Sequence, residues 1–315
     1  MRYMNPGFKN CFSVIGSKSY LAETTNATNT KTGTAFYNRS SDNYILLDFP
    51  ASGEIFCKFD FYYERNSTNA IYLGEFASSS EPYNGLCIDL SGGSLRFLKY
   101  IKGTWSRIFE GQNANDFGFK NNSVNSAVFH LKWADSDNGV LDLMINDYSF
   151  DSMESADLTP YNNSNIKFTF RTDYCPYISN VIISDETVSI KEQLVPLQIS
   201  GVDTDMTFDS EMEIYTASEV NQSLLASVNV ADLISDFGGS SKVTGVAVVG
   251  NPAYRTAEGL ATFTALTKKN NIVTEYSAAN IPTDSDSVVA NAFKLDSDTT
   301  ITDLQSMQIG FKVGE

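Results

Sequence analysis

The sequence predicts an all-β protein in two parts, the first of them a two-sheet sandwich. Three observations carry that expectation. Short segments alternate apolar and polar residues with period two, the pattern of strands that bury one face. Clusters of Ser, Asn and Gly, which tight turns favour, separate those segments at roughly even spacing. The chain has 315 residues, 42% of them hydrophobic, which suits about two domains with cores of their own.

In residues 1–190 the expected strands are, in order, 44–49, 54–63, 71–76, 85–90, 95–101, 127–133, 140–145, 166–171 and 177–184. In the second of these, alternation puts Ile55, Cys57, Phe59 and Phe61 on one apolar face. In the sixth, Phe129, Leu131 and Trp133 share one face, and His130 and Lys132 the other. Ser91-Gly92-Gly93 and Asp137-Asn138-Gly139 supply turn residues. The four cysteines, Cys11, Cys57, Cys87 and Cys175, match no zinc spacing. Cys57 lies on the core face of its strand, and Cys87 on the opposite face from Leu86, Ile88 and Leu90. Free thiols acting as small hydrophobes are therefore expected, not a Cys57–Cys87 bridge.

The composition shifts near Val188–Pro196, so the expected domains are 1–190 and 191–315. Of 39 aromatic residues, 31 precede the shift, as do both Trp and the one His. In 191–315 the expected strands are 207–216, 242–250, 261–267, 288–295 and 307–313, making a smaller β-sandwich. One short helix is expected at 301–306, because Thr300-Ile301-Thr302-Asp303 has capping-box form and sets Asp303 at the positive helix start.

Four blocks fall in the order seen in laminin-G-like and concanavalin A-like jelly rolls, and the region of about 10–190 resembles that family. They are Gly85-Leu86-Cys87-Ile88-Asp89-Leu90, Phe129-His130-Leu131-Lys132-Trp133, Gly139 to Asp147, and Tyr177 to Asp185. The resemblance implies a two-sheet jelly roll and leaves the role open, since the fold hosts many functions. Residues 191–315 resemble the C-terminal β-domain of phage and prophage tail or other virion proteins. That likeness rests on the order strand, acidic turn, short helix, then Gln308-Ile309-Gly310-Phe311-Lys312-Val313.

The net charge of −16 disfavours nucleic-acid and anionic-membrane partners, which need Lys and Arg to replace counterions. No apolar run is long enough for a spanning helix. Met1 to Gly7 lacks the apolar stretch of a secretory signal. Either a signal was removed ahead of this sequence, or the protein leaves the cell by another route, such as inside a virus particle.

No enzyme is expected. Glycosidases need two carboxylates across the sugar, and the β-glucanases of this fold carry Glu-x-Asp-x-Glu on one strand. The nearest string, Glu211-Met212-Glu213, has two acids, and a solvated strand face explains it. His130 stands mid-strand without a nucleophile pattern and reads as a structural residue of the sheet. Gly238-Gly239-Ser240-Ser241 is a bare turn with no lysine placed for phosphate. No cofactor is expected. Calcium has one candidate loop, Asp135-Ser136-Asp137-Asn138-Gly139, which a hairpin turn explains as well; Asp284-Ser285-Asp286 and Asp296-Ser297-Asp298 are weaker.

Sugar binding needs an aromatic face for ring C–H groups and planar polar groups for the hydroxyls. The loop candidates are Tyr83 with Asn84, Trp105 with Arg107, and Tyr174 with Asp173, with Trp105 the best single choice; a tryptophan plugging the sandwich edge is the competing reading. Three functions follow: a non-enzymatic virion component, located in the particle and able to bind glycans; a secreted or cell-surface carbohydrate-binding adhesin; and a glycan-degrading enzyme. The expected partners are other virion or cell-surface proteins, cell-surface glycans and further copies of the chain in a homo-oligomer.

Overall fold

Glu54–Tyr63 is the strand on which the N-terminal core is built. Ile55, Cys57, Phe59 and Phe61 on its apolar face are at most 4% exposed, and the alternation of the sequence is the reason. The neighbouring Ser123–Lys132 strand pairs with it residue for residue from Ser123↔Tyr63 to Lys132↔Glu54. That register sets Phe129 opposite Cys57 and Leu131 opposite Ile55, so both core faces point the same way.

The computed structural model describes residues 2–5, 13–15, 21–25, 35–38, 44–50, 54–64, 69–75, 84–91, 94–101, 104–111, 113–132, 140–150, 165–170, 177–250, 253–256, 259–284 and 289–315. Two compact units emerge, Tyr3–Leu194 and Val195–Glu315. Among the described residues no helix is long and apolar enough to cross a membrane.

In the first unit one sheet runs in the order Tyr148–Phe150, Val140–Ile145, Ser123–Lys132, Glu54–Tyr63, Ile178–Ser184, Ala35–Asn38, Leu21–Thr24, with Arg2–Asn5 also paired to Ile178–Ser184. The other layer has two parts. Thr104–Gly111, Ser94–Ile101, Asn84–Ser91 and Asn69–Glu75 form a four-stranded sheet, and Asn165–Phe170, Tyr44–Pro50 and Ser13–Ile15 a three-stranded one. Asn165–Phe170 runs beside Asn69–Glu75, which brings the two parts together. This is the concanavalin A-like two-sheet jelly roll. Aromatic rings fill its core: Phe59 lies 5.9 Å from Phe61, and Phe61 lies 5.9 Å from Phe119, edge to face.

The second unit is a smaller β-sandwich. Its main sheet has the order Gln198–Thr204, Ser223–Asn229, Met307–Gly314, Thr262–Lys269, Ile272–Asn280. The Gly245–Gly250 and Val289–Lys294 ladder packs on it, joining Val246 and Phe293 to Val228, Ala265 and Ile309 in one core. The expected strand over 207–216 is instead a hairpin, Thr207–Asp209 with Ile214–Thr216. The cause is local: Asp209 Oδ1 accepts the N–H groups of Glu211 at 2.9 Å and Met212 at 3.1 Å, which turns the backbone. Glu211 and Glu213 therefore sit in a turn and do not alternate on a strand.

The short helix is Ile301–Leu304, and its capping box is complete. Asp303 Oδ2 accepts from the Thr300 hydroxyl at 2.7 Å and from the Thr300 backbone N–H at 3.0 Å, and Lys269 Nζ lies 3.2 Å from Oδ1. These bonds, Thr300's first, lower the Asp303 pKa from 3.8 to about 2. A lowered folded-state value stabilises at pH above 3.8 and is lost as pH falls through about 2. Comparing acid unfolding of wild type and Asp303→Asn, the stability gap at neutral pH is expected to close across that window. Thr300→Ala is expected to cost about 1 kcal/mol in urea unfolding at neutral pH.

Candidate functional site

Trp105 and Arg107, expected in a loop, lie on the Thr104–Gly111 strand. Ile101 pairs directly with Thr104, so only two residues connect this strand to Ser94–Ile101, and that tight connection fixes the register. Trp105 faces Tyr100 across the ladder, and Tyr100 faces Gly85. One row along the strands stand Arg107, Leu98, Cys87 and Tyr72. After an irregularity between Arg107 and Phe109, a third row holds Glu110, Arg96 and Asp89. Without that bulge Glu110 would fall at the other parity.

These rows share one face of the sheet by strand parity. Positions of the other parity include the apolar Ile71, Leu73, Leu86, Ile88, Leu90, Leu95, Phe97 and Phe109 in the body of the sheet, with Glu75, Asn84, Lys99, Thr104 and Ser106 toward one end of it. Arg107 is exposed, and Arg96 and Leu98 are half-buried. By register, the positions of Trp105, Tyr100, Tyr72, Arg107, Arg96, Glu110 and Asp89 therefore share one parity of a four-stranded sheet. Of these the sequence singled out only Trp105 and Arg107. The missed signal was Lys102-Gly103 directly after a strand, which reads as a hairpin turn and implies a partner strand with Trp105 opposite Tyr100.

Asn84 opens the Asn84–Ser91 strand opposite Glu75, at the parity opposite to the Trp105 row, so the register does not bring it to this face. Tyr83, Asp173 and Tyr174 lie outside the described residues, as do Trp133, the 135–139 loop, and Ser285 and Asp286. Among the described residues no group of three His, Cys, Asp or Glu could hold a metal ion. Asp298 is met by Lys242 Nζ at 3.2 Å.

His130 stands between two carboxylates. Its Nδ1 is 2.9 Å from Asp142 Oδ2, its Nε2 is 2.7 Å from Glu54 Oε1, and its ring stacks on Phe56 at 4.2 Å. Both ring nitrogens are thus engaged by acids, and neither faces a hydroxyl or thiol nucleophile. The arrangement is a side-chain tie across three strands.

No family model matches the chain, and no curated protein does. Solved structures do align with it. Sheep galectin-11 in complex with glycerol is 9% identical, with a TM-score of 0.33, covering 44% of this chain and 96% of that one. Carbohydrate-binding module CBM66 from Bacillus subtilis is 10% identical, with a TM-score of 0.36, covering 56% and 96%. The endo-β-1,4-glucuronan lyase of Trichoderma reesei is 12% identical, with a TM-score of 0.40, covering 58% and 95%. At such identities the likeness is one of architecture and carries nothing about ligand or reaction.

Proposed function

We propose that this protein binds carbohydrate without turning it over, through the Trp105 face of its N-terminal sandwich, as a component of a virion: a phage or prophage tail, fibre or capsid decoration. The observation that carries the reading is the register that sets Trp105 beside Tyr100, with Arg107, Arg96, Glu110 and Asp89 in the adjoining rows. Aromatic rings cover the C–H face of a sugar, and guanidinium and carboxylate groups match its hydroxyls with planar hydrogen bonds. The net charge of −16 suits a neutral sugar better than an acidic one.

The assembly half of the reading rests on the second unit. The end strands of its main sheet are exposed over most of their length and carry Ile199 at 64%, Ile272 at 70% and Val273 at 49% exposure. A strand end that offers backbone groups and apolar side chains suits pairing with a neighbouring subunit, and symmetric self-assembly is the usual outcome. An extracellular or cell-surface adhesin shares this chemistry and is the second reading, separated from the first by whether the protein is found in particles or on cells.

The test is a glycan array on the purified chain, with and without calcium, for wild type, Trp105→Ala and Arg107→Ala. Saturable binding by wild type that weakens at least about tenfold in each variant is expected. Binding that both variants keep moves the site elsewhere; no binding by wild type removes the carbohydrate and leaves assembly alone. Light scattering, expected to give a mass that is a multiple of 34.7 kDa, tests the oligomer.

A further inference from the structure

The polar face of Glu54–Tyr63 carries Lys58 and Asp60, and neither is solvated: their side chains are 1% and 0% exposed. Chain beyond the Ile178–Ser184 strand lies over them. Leu194 N–H donates to Asn180 Oδ1 at 2.9 Å, and Asn180 Nδ2 lies 3.3 Å from the Glu192 carbonyl. Asn180 is itself fully buried and holds φ +52°, within the irregularity between Ser179 and Ile182. Asparagine tolerates that left-handed backbone, and the bulge turns its side chain toward Asp60.

One carboxylate therefore touches both an amine and a primary amide. Lys58 Nζ is 2.8 Å from Asp60 Oδ1, and Asn180 Nδ2 is 2.8 Å from Asp60 Oδ2. Ser126 Oγ donates to Oδ1 at 2.6 Å and fixes the carboxylate. We propose that Lys58 and Asn180 join in an intramolecular isopeptide bond, with Asp60 as the proton carrier. The parts the reaction needs meet at the Asp60 carboxylate: a nucleophilic nitrogen on one oxygen, the leaving nitrogen of an amide on the other, and the amide's own oxygen held by the Leu194 N–H, with bulk water excluded.

The balance closes without an oxidant or cofactor. The Lys58 ammonium passes one proton to Asp60, and the freed amine attacks Asn180 Cγ. The new C–N bond forms as the carbonyl electron pair moves onto Oδ1. Asp60 then gives its proton to Nδ2 and takes one from the attacking nitrogen. The pair on Oδ1 returns, the Cγ–Nδ2 bond breaks, and ammonia leaves, carrying off the last Asp60 proton as ammonium. A secondary amide remains between the two strands.

The test is the intact mass of the purified full chain under denaturing conditions, with sequencing of its proteolytic peptides by tandem mass spectrometry. Wild type is expected to be lighter than its sequence mass by one ammonia, with one branched peptide joining the Lys58 and Asn180 fragments. Lys58→Arg and Asp60→Asn are expected to keep the full sequence mass. A succinimide at Asn180 also loses ammonia, but it gives no branched peptide and survives Lys58→Arg. A wild-type chain at full sequence mass, or a deficit with only linear peptides, overturns the proposal.

Discussion

Asp60→Ala is expected to destabilise the N-terminal unit by about 3–5 kcal/mol, measured by urea unfolding of the full chain. The change removes the carboxylate 2.8 Å from the Lys58 amine, so the bond to Asn180 proposed above does not form and Lys58, 1% exposed, stays a buried ammonium without a counter-ion. It also strips the acceptor from Ser126 Oγ and from one bond of Asn180 Nδ2. A buried charge without a partner is the costly state, and the pair as such adds little: apolar residues of similar volume at both positions are often neutral. The double variant Lys58→Met with Asp60→Leu is therefore expected to recover part of the loss, and a double variant worse than Asp60→Ala alone would contradict the charge argument.

Phe61→Ala is expected to cost about 3–5 kcal/mol in the same measurement. Phe61 is 0% exposed and touches two other rings, Phe59 and Phe119, while Phe119 also meets Tyr63 at 5.6 Å. Removing the central ring leaves a cavity that neighbours held by strand ladders cannot collapse to fill. Phe208, half exposed against Tyr215 on the small hairpin, has the same chemistry without that enclosure, so Phe208→Ala is expected to change stability far less.

Where one face of a strand is buried, the sequence told the structure well. The strands at 54–63 and 140–145 were legible to the residue, because alternation is strong when one parity is in the core. Gln198–Thr204 and Ile272–Asn280 were not legible, and their exposure explains it: with both faces largely in solvent, nothing selects for period two. Thr104–Gly111 was missed for another reason, since its irregularity after Arg107 shifts the pattern halfway along. At the candidate site the residue types of Trp105 and Arg107 were readable, but their neighbours depend on register and not on local sequence. The Lys58–Asp60–Asn180 cluster was invisible. Two charges alternating on a strand look like a solvated face, and the asparagine that completes the set is 120 residues from Asp60.

Cys57 sits one residue before Lys58, facing the core, and is 3% exposed. Burial pushes the thiol's pKa well up, and the charge that Lys58 carries before its bond to Asn180 forms offsets only part of that. Thiolate is the reactive form, so in the folded state this sulfur is doubly shielded, by access and by protonation. An alkylating reagent reaches it only when the Glu54–Tyr63 strand parts from its neighbours. Cys57 is thus a native clock for the opening of the central strand, and its labelling rate reads how tightly the strands on either side hold that strand shut.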